Sequence, residues 1–364
     1  MKSSKFKLMF VEKVFIVLSV ILLFLASIDI AKAQGKLLSS QGQIVVKDGT
    51  IDLDDMTIEQ KVAQMIVVAG QDYRKEAWDT LGVGGIHMYA HSSEKEFQSA
   101  IGSFQEGKSV PYFVSVDLEG CLNPLAAFYQ SQPVSLIRTP GEAFQKGLED
   151  GAELSSLGFT LNYAPVVDLH DTIWGCRTFP GTVEDKEILA QSYILGLQDS
   201  GIIATAKHYP GKALVISDPH KFLVSADITL DDVAPYEYLF RKGAVKAVMV
   251  THVIGEGVVN SHGMPAVVDP EVIALIRSHF NGLIITDEIM MLGLKNYYPA
   301  TDELYFAVFN AGSDVVLNFN EDPYEIQKMI TVVSDAVRSG DINIHRIDAS
   351  VTRILDAKGF NVIQ

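Results

Sequence analysis

The sequence predicts one α/β domain, a single (β/α)8 barrel of the TIM type. Three observations predict it. Short apolar, β-rich runs recur eight times along the chain, and segments of helical length and period separate them. No G-x-G-x-x-G follows the first run, so an open doubly wound sheet of the dinucleotide-binding kind has little support.

Taken in order, the runs are residues 65–69, 85–89, 112–116, 160–167, 202–206, 247–251, 283–286 and 314–318. Most are continuously hydrophobic rather than alternating, as parallel strands buried on both faces should be. Between them, 141–157 and 184–199 return an apolar residue every three or four positions, which predicts helices. Asp269-Pro270-Glu271 opens a helix over 272–279 with a capping residue and a proline in the first turn. A helix over 322–337 follows the eighth run, and another over 347–357 closes the chain. With 364 residues, 48% of them hydrophobic, there is apolar material for one sizeable core, and residues 34–364 read as one domain.

A barrel of this kind carries its chemistry at the C-terminal ends of its strands. Asp117 and Glu119 follow the third run, and Asp168 and His170 the fourth. Lys207 and His208 follow the fifth, His252 the sixth, and Asp287 and Glu288 the seventh. Each has an ordinary reading: a satisfied loop histidine, or a carboxylate capping a helix. Together they converge on one rim, which an inert scaffold does not require.

Residues 1–33 stand apart. Lys2, Lys5 and Lys7 precede an apolar stretch over 14–26, and Ala31-Lys32-Ala33 supplies a small-residue site. That is the pattern of a secretory signal peptide, which implies export to the periplasm or the exterior. The alternative is a retained N-terminal anchor. The whole chain has a net charge of −16, and the segment holds five lysines against two acids, so the remainder is more acidic still. Such a surface repels phosphate backbones and anionic lipid, which excludes nucleic acid and, beyond a possible anchor, a stable membrane partner. Cys121 and Cys176 are the only cysteines and form no C-x-x-C, which excludes a zinc cluster. They follow the third and fourth runs, and in an exported chain both a disulfide and two separate thiols are open.

Lys207-His208-Tyr209-Pro210-Gly211, followed by Asp218-Pro219-His220, resembles the K-H-[FY]-P-G…D-x-H signature of glycoside hydrolase family 3, in its β-N-acetylglucosaminidase branch. The twelve-residue step between the two histidines is the same. Ile284-Ile285-Thr286-Asp287-Glu288-Ile289-Met290-Met291 is similar to that family's nucleophile strand. Further matches are Val116-Asp117-Leu118-Glu119-Gly120, Tyr163-Ala164-Pro165-Val166-Val167-Asp168 and Arg177-Thr178-Phe179. The resemblance implies a retaining exo-β-N-acetylglucosaminidase acting on peptidoglycan fragments or chito-oligosaccharides, with a carbohydrate substrate and neither metal nor organic cofactor. It makes Asp287 the nucleophile and His220 the proton donor, held by Asp218. Asp117, Arg177, Lys207 and His208 become substrate-binding residues.

The chemistry of these residue types agrees. A carboxylate can attack an anomeric carbon and leave as an ester-type intermediate. An imidazole beside a carboxylate can hold and deliver a proton near neutral pH. Glu288 rivals Asp287, but adjacent strand residues point to opposite faces, so only one is expected to face the sugar. Asp168 and His252 are neighbours that can be structural. Two departures bear on specificity. Where the family has Gly-Arg and a second arginine beyond, this chain reads Gly120-Cys121-Leu122-Asn123-Pro124-Leu125, and P-G-H-G becomes Pro210-Gly211-Lys212-Ala213. A family 3 β-glucosidase, a glycan-binding barrel without catalysis, and phosphorolysis in place of hydrolysis remain open alternatives.

Overall fold

A computed structural model describes residues 38–214 and 222–364. All eight runs are parallel strands of one sheet. They are β1 (Ile66–Ala69), β2 (Gly85–His87), β3 (Phe113–Val116), β4 (Leu161–Asn162), β5 (Ile203–Tyr209), β6 (Ala247–Val250), β7 (Leu283–Thr286) and β8 (Val316–Leu317). Each pairs with the next from β1 to β7, and β8 pairs with β1. A parallel bridge between Ile285 and Val315 joins β7 to the start of β8, and the Thr286 N–H donates to Val315 O at 2.9 Å. The sheet is therefore closed, and the predicted barrel is the observed one.

Every residue of these eight strands is buried, which is why the sequence shows unbroken apolar runs. Two bounds differ from the sequence reading. The fourth strand covers only Leu161–Asn162 of the expected 160–167, continuing as single bridges from Val166 to Thr178 and to Lys207. Pro165 lies between and has no N–H to give to the ladder. The fifth strand runs three residues further than expected, so Lys207 and His208 belong to it. The sequence reading stopped at the last apolar residue, whereas both polar side chains are buried here.

The helices follow the expected signals. Thr139 and Glu142 form a reciprocal capping box at the start of helix Pro140–Leu157. Asp269 caps helix Pro270–His279, accepting from the Glu271 N–H at 2.8 Å. Helices Val183–Asp199, Pro323–Ser339 and Ile344–Ala357 match the remaining patterns. Pro140–Leu157 and Val183–Asp199 cross closely through Gly147 and Gly196, and a Cβ on either would lie 2.1 Å from a backbone carbonyl oxygen of the other helix. Features not individually read in the sequence include helices Glu94–Gln105, Leu230–Arg241 and Thr301–Ala311, a parallel pair of Thr50–Asp52 with Asn361–Ile363, and another of Ser225–Ile228 with Ile254–Gly257. The paired segments are three or four residues long and partly exposed, too short for a periodic signal.

Among the described residues no helix is long and apolar enough to cross a membrane. The leader read in residues 1–33 lies outside the described residues, as do Asp218 and His220.

Candidate active site

Five of the seven site residues read from the sequence line one cavity of about 300 Å³: Asp117, Arg177, Lys207, His208 and Asp287. The other two, Asp218 and His220, cannot be placed against it. Asp117 follows β3, Arg177 lies in the loop after β4, Lys207 and His208 are the end of β5, and Asp287 follows β7. Barrel closure brings these separated stretches to one rim.

The deep part is a chain of charges. Lys207 Nζ lies 2.5 Å from Asp117 Oδ1 and 2.6 Å from Glu119 Oε1. Arg177 grips Glu119 with two donors, Nε to Oε2 and Nη2 to Oε1, the latter at 2.8 Å. Two cations thus meet two carboxylates, in the forked geometry that guanidinium allows. Burial alone would push the Asp117 carboxyl up, but the Lys207 ammonium and His87 beside it hold it below the ordinary range. Burial likewise opposes the Lys207 charge, and Asp117 and Glu119 overcome it, raising Lys207 above its usual value. The loop carrying both carboxylates is pinned from β4, where Asn162 accepts from Leu118 N at 2.9 Å and donates to Leu118 O at 3.0 Å.

His208 is positioned by Asp168. The carboxylate accepts from the His208 backbone N–H at 3.0 Å, lies 3.2 Å from ring Nδ1, and accepts from the Tyr236 hydroxyl at 2.9 Å. Asp168 is buried behind the cavity wall, so it orients a lining residue and does not itself line the cavity. His252 plays a comparable part at β6: its Nε2 lies 2.9 Å from Glu288 O.

At β7 the sequence reading needs a correction. Asp287 and Glu288 both line the cavity. The alternation of faces holds within a strand, and β7 ends at Thr286, one residue before the pair. Asp287 Oδ1 accepts from the Glu288 N–H at 2.8 Å. Glu288 Oε1 accepts from the N–H groups of Met290 and Phe319, at 2.9 and 3.1 Å, tying the ends of β7 and β8 together. Burial and the neighbouring Asp287 charge push Glu288 up to about 7, against those two backbone donors.

Residues in or beside the site were missed: Tyr163, Trp174 and Phe319 line the cavity, and His87 packs against two of them. His87, at the end of β2, stacks between Tyr163 and Phe319 with centroids 5.6 and 4.8 Å away, and its Nε2 lies 3.6 Å from Asp117. Burial lowers its basicity. Phe319 directly follows the eighth run, a strand-end position like those of the other site residues, whereas His87 lies within the 85–89 run and only the structure ends β2 at it. Trp174, beside Arg177, offers no strand-end signal. The open question at Cys121 and Cys176 is answered by a disulfide, with Cα atoms 6.2 Å apart, joining the loops after β3 and β4. Among the described residues no group of three or more His, Cys, Asp or Glu is arranged to hold a metal ion.

A closed parallel barrel with carboxylates, cations and aromatic rings gathered at its C-terminal rim has the layout of a barrel enzyme's active site. Residues 57–357 match the glycosyl hydrolase family 3 N-terminal domain, and the chain belongs to that family, in its β-hexosaminidase branch. It is 27% identical over 325 residues to the β-hexosaminidase LpqI of Mycobacterium bovis, covering 83% of this chain and 82% of that one. Among solved structures it is similar to M. tuberculosis LpqI, with a TM-score of 0.77 at 26% identity, covering 85% and 96% of the two chains. A family 3 β-N-acetylglucosaminidase from Paenibacillus sp. FPU-7 gives 0.75 at 27% identity, covering 84% of this chain and 62% of that one.

Proposed function

We propose that this glycoside hydrolase is a retaining exo-β-N-acetylglucosaminidase that removes terminal N-acetylhexosamine from peptidoglycan fragments or chito-oligosaccharides. The observation that carries the reading is the convergence of Asp287 with Asp117, Lys207, Arg177 and His208 in one cavity at the barrel's C-terminal rim. In this reading Asp287 attacks the anomeric carbon as the glycosidic C–O bond breaks, giving an ester-linked glycosyl-enzyme. His220, held by Asp218, gives its proton to the leaving oxygen and then takes one from the water that releases the sugar. Asp117, Lys207, Arg177 and His208 hold the hydroxyl groups of the terminal sugar. The cavity sits at the small end of ligand-site volumes, which favours one terminal ring over a chain threaded through.

Export belongs to the same proposal. A cleaved leader over residues 1–33 would deliver the chain to an oxidising compartment, where the Cys121–Cys176 bridge persists.

The test compares kcat/KM for an aryl β-N-acetylglucosaminide with that for the matching β-glucoside, with Asp287→Ala as the blank. The acetamido sugar should be turned over at least about a hundredfold faster, because a sugar lacking that group leaves polar partners in the site unpaired. Equal rates would move the protein to the β-glucosidase reading. Sugar binding without turnover of either would favour the non-catalytic barrel.

A further inference from the structure

The mouth of the cavity differs in character from its floor. Glu119, Arg177, Lys207 and His208 are buried, whereas Leu122 and Trp174 are 37% and 36% exposed. Both are fastened to the disulfide: Leu122 follows Cys121, and Trp174 lies two residues before Cys176. The indole is further fixed through its loop. Asp171 accepts from the backbone N–H groups of Trp174, Cys176 and Arg177, at 2.8, 3.1 and 3.0 Å. The Arg177 guanidinium carbon lies 4.6 Å from the Trp174 ring centroid. Apolar surface left in water gains nothing from burial on folding, so a large ring held fixed at a pocket mouth points to a ligand that covers it. Holding it in place beforehand reduces the ordering cost of that binding.

We propose that Trp174 and Leu122, clipped in place by the Cys121–Cys176 bridge, form an apolar platform for the leaving group, specific for a neutral β-linked hexosamine ring. The proposal rests on the exo-hexosaminidase reading and supplies its aglycone. The charged floor takes one sugar, so the next ring of an oligosaccharide must lie across the mouth. Pyranose rings present an apolar C–H face to which an indole and a leucine are complementary. The lining cations, Lys207 and Arg177, already face Asp117 and Glu119, and residues 120–125 carry none. An acidic aglycone therefore finds no spare cation among the described residues at the mouth, whereas a neutral ring needs none to make the stacking contact.

The experiment uses the full chain carrying Asp287→Asn, which keeps the substrate intact. Calorimetry gives Kd for N-acetylglucosamine and for its β-1,4-linked disaccharide. The disaccharide is expected to bind about tenfold more tightly, the worth of one good aromatic contact. Adding Trp174→Ala should collapse that ratio towards one, and Trp174→Phe should retain most of it. Equal affinities for the two sugars, a ratio indifferent to Trp174→Ala, or parallel loss of both affinities would overturn the platform. Turnover of the aryl β-N-acetylglucosaminide by the unsubstituted enzyme, measured in parallel, separates the two claims. Turnover with equal affinities removes the platform and leaves the activity. Preferential disaccharide binding without turnover does the reverse.

Discussion

Glu288 shows two effects opposing each other at one residue. Two backbone donors favour its charged form, while burial and Asp287 disfavour it and prevail, placing it at about 7. The folded state therefore binds this proton more tightly than the unfolded chain does. Its contribution to stability is fully present below the ordinary glutamate value and is lost as pH rises through about 7. Glu288→Gln keeps an acceptor for Met290 and Phe319 and removes the charge. Melting temperatures of the two proteins between pH 5 and 8 should show a shallower decline in the variant, leaving it the more stable by a few degrees at the upper end. Parallel curves would place the proton elsewhere. Much of the site was legible residue by residue. Asp117, Lys207, His208 and Asp287 could be found because each is polar at the end of an apolar run. Glu288 differs from the sequence expectation because strand alternation does not extend to residues 287 and 288, beyond the end of β7 at Thr286. His87 and Trp174 depend on stacking and ion pairs between distant segments, which spacing does not report.

Among the elements, helices Pro140–Leu157 and Val183–Asp199 fit closely against each other. Gly196 meets the Phe144 carbonyl, which belongs to a backbone that cannot swing aside as a side chain could. Gly196→Ala should therefore destabilise the protein by about 1–3 kcal/mol, even though alanine is the better helix former by up to about 1 kcal/mol. Denaturant unfolding measures the difference, and a neutral or stabilising result would mean that the helices separate at little cost. The strands themselves were the most legible elements, since burial on both faces writes them as continuous apolar runs. Their bounds were less so. Pro165 interrupts β4 from within, and β5 continues through Lys207 and His208, whose burial depends on Asp117, Glu119 and Asp168 from neighbouring loops. The two short parallel pairs join segments far apart along the chain, which no local pattern reports.

For the whole molecule, the barrel converts a scattered set of residues into a site. Positions from 117 to 287 meet because each strand ends at the same rim. The charges of Asp117 and Glu119 balance those of Lys207 and Arg177, and Asp287 and Glu288 are the other carboxylates that line the cavity among the described residues. Burial and the Asp287 charge favour the neutral form of Glu288, which agrees with the role proposed for Asp287 as nucleophile. The direct test is to trap the covalent intermediate with a slow-reacting 5-fluoro-N-acetylglucosaminyl fluoride and map the modified peptide by mass spectrometry. The account predicts a single glycosyl group, esterified to Asp287 and lost on incubation with water. A stable label on Glu288 or any other residue would contradict it.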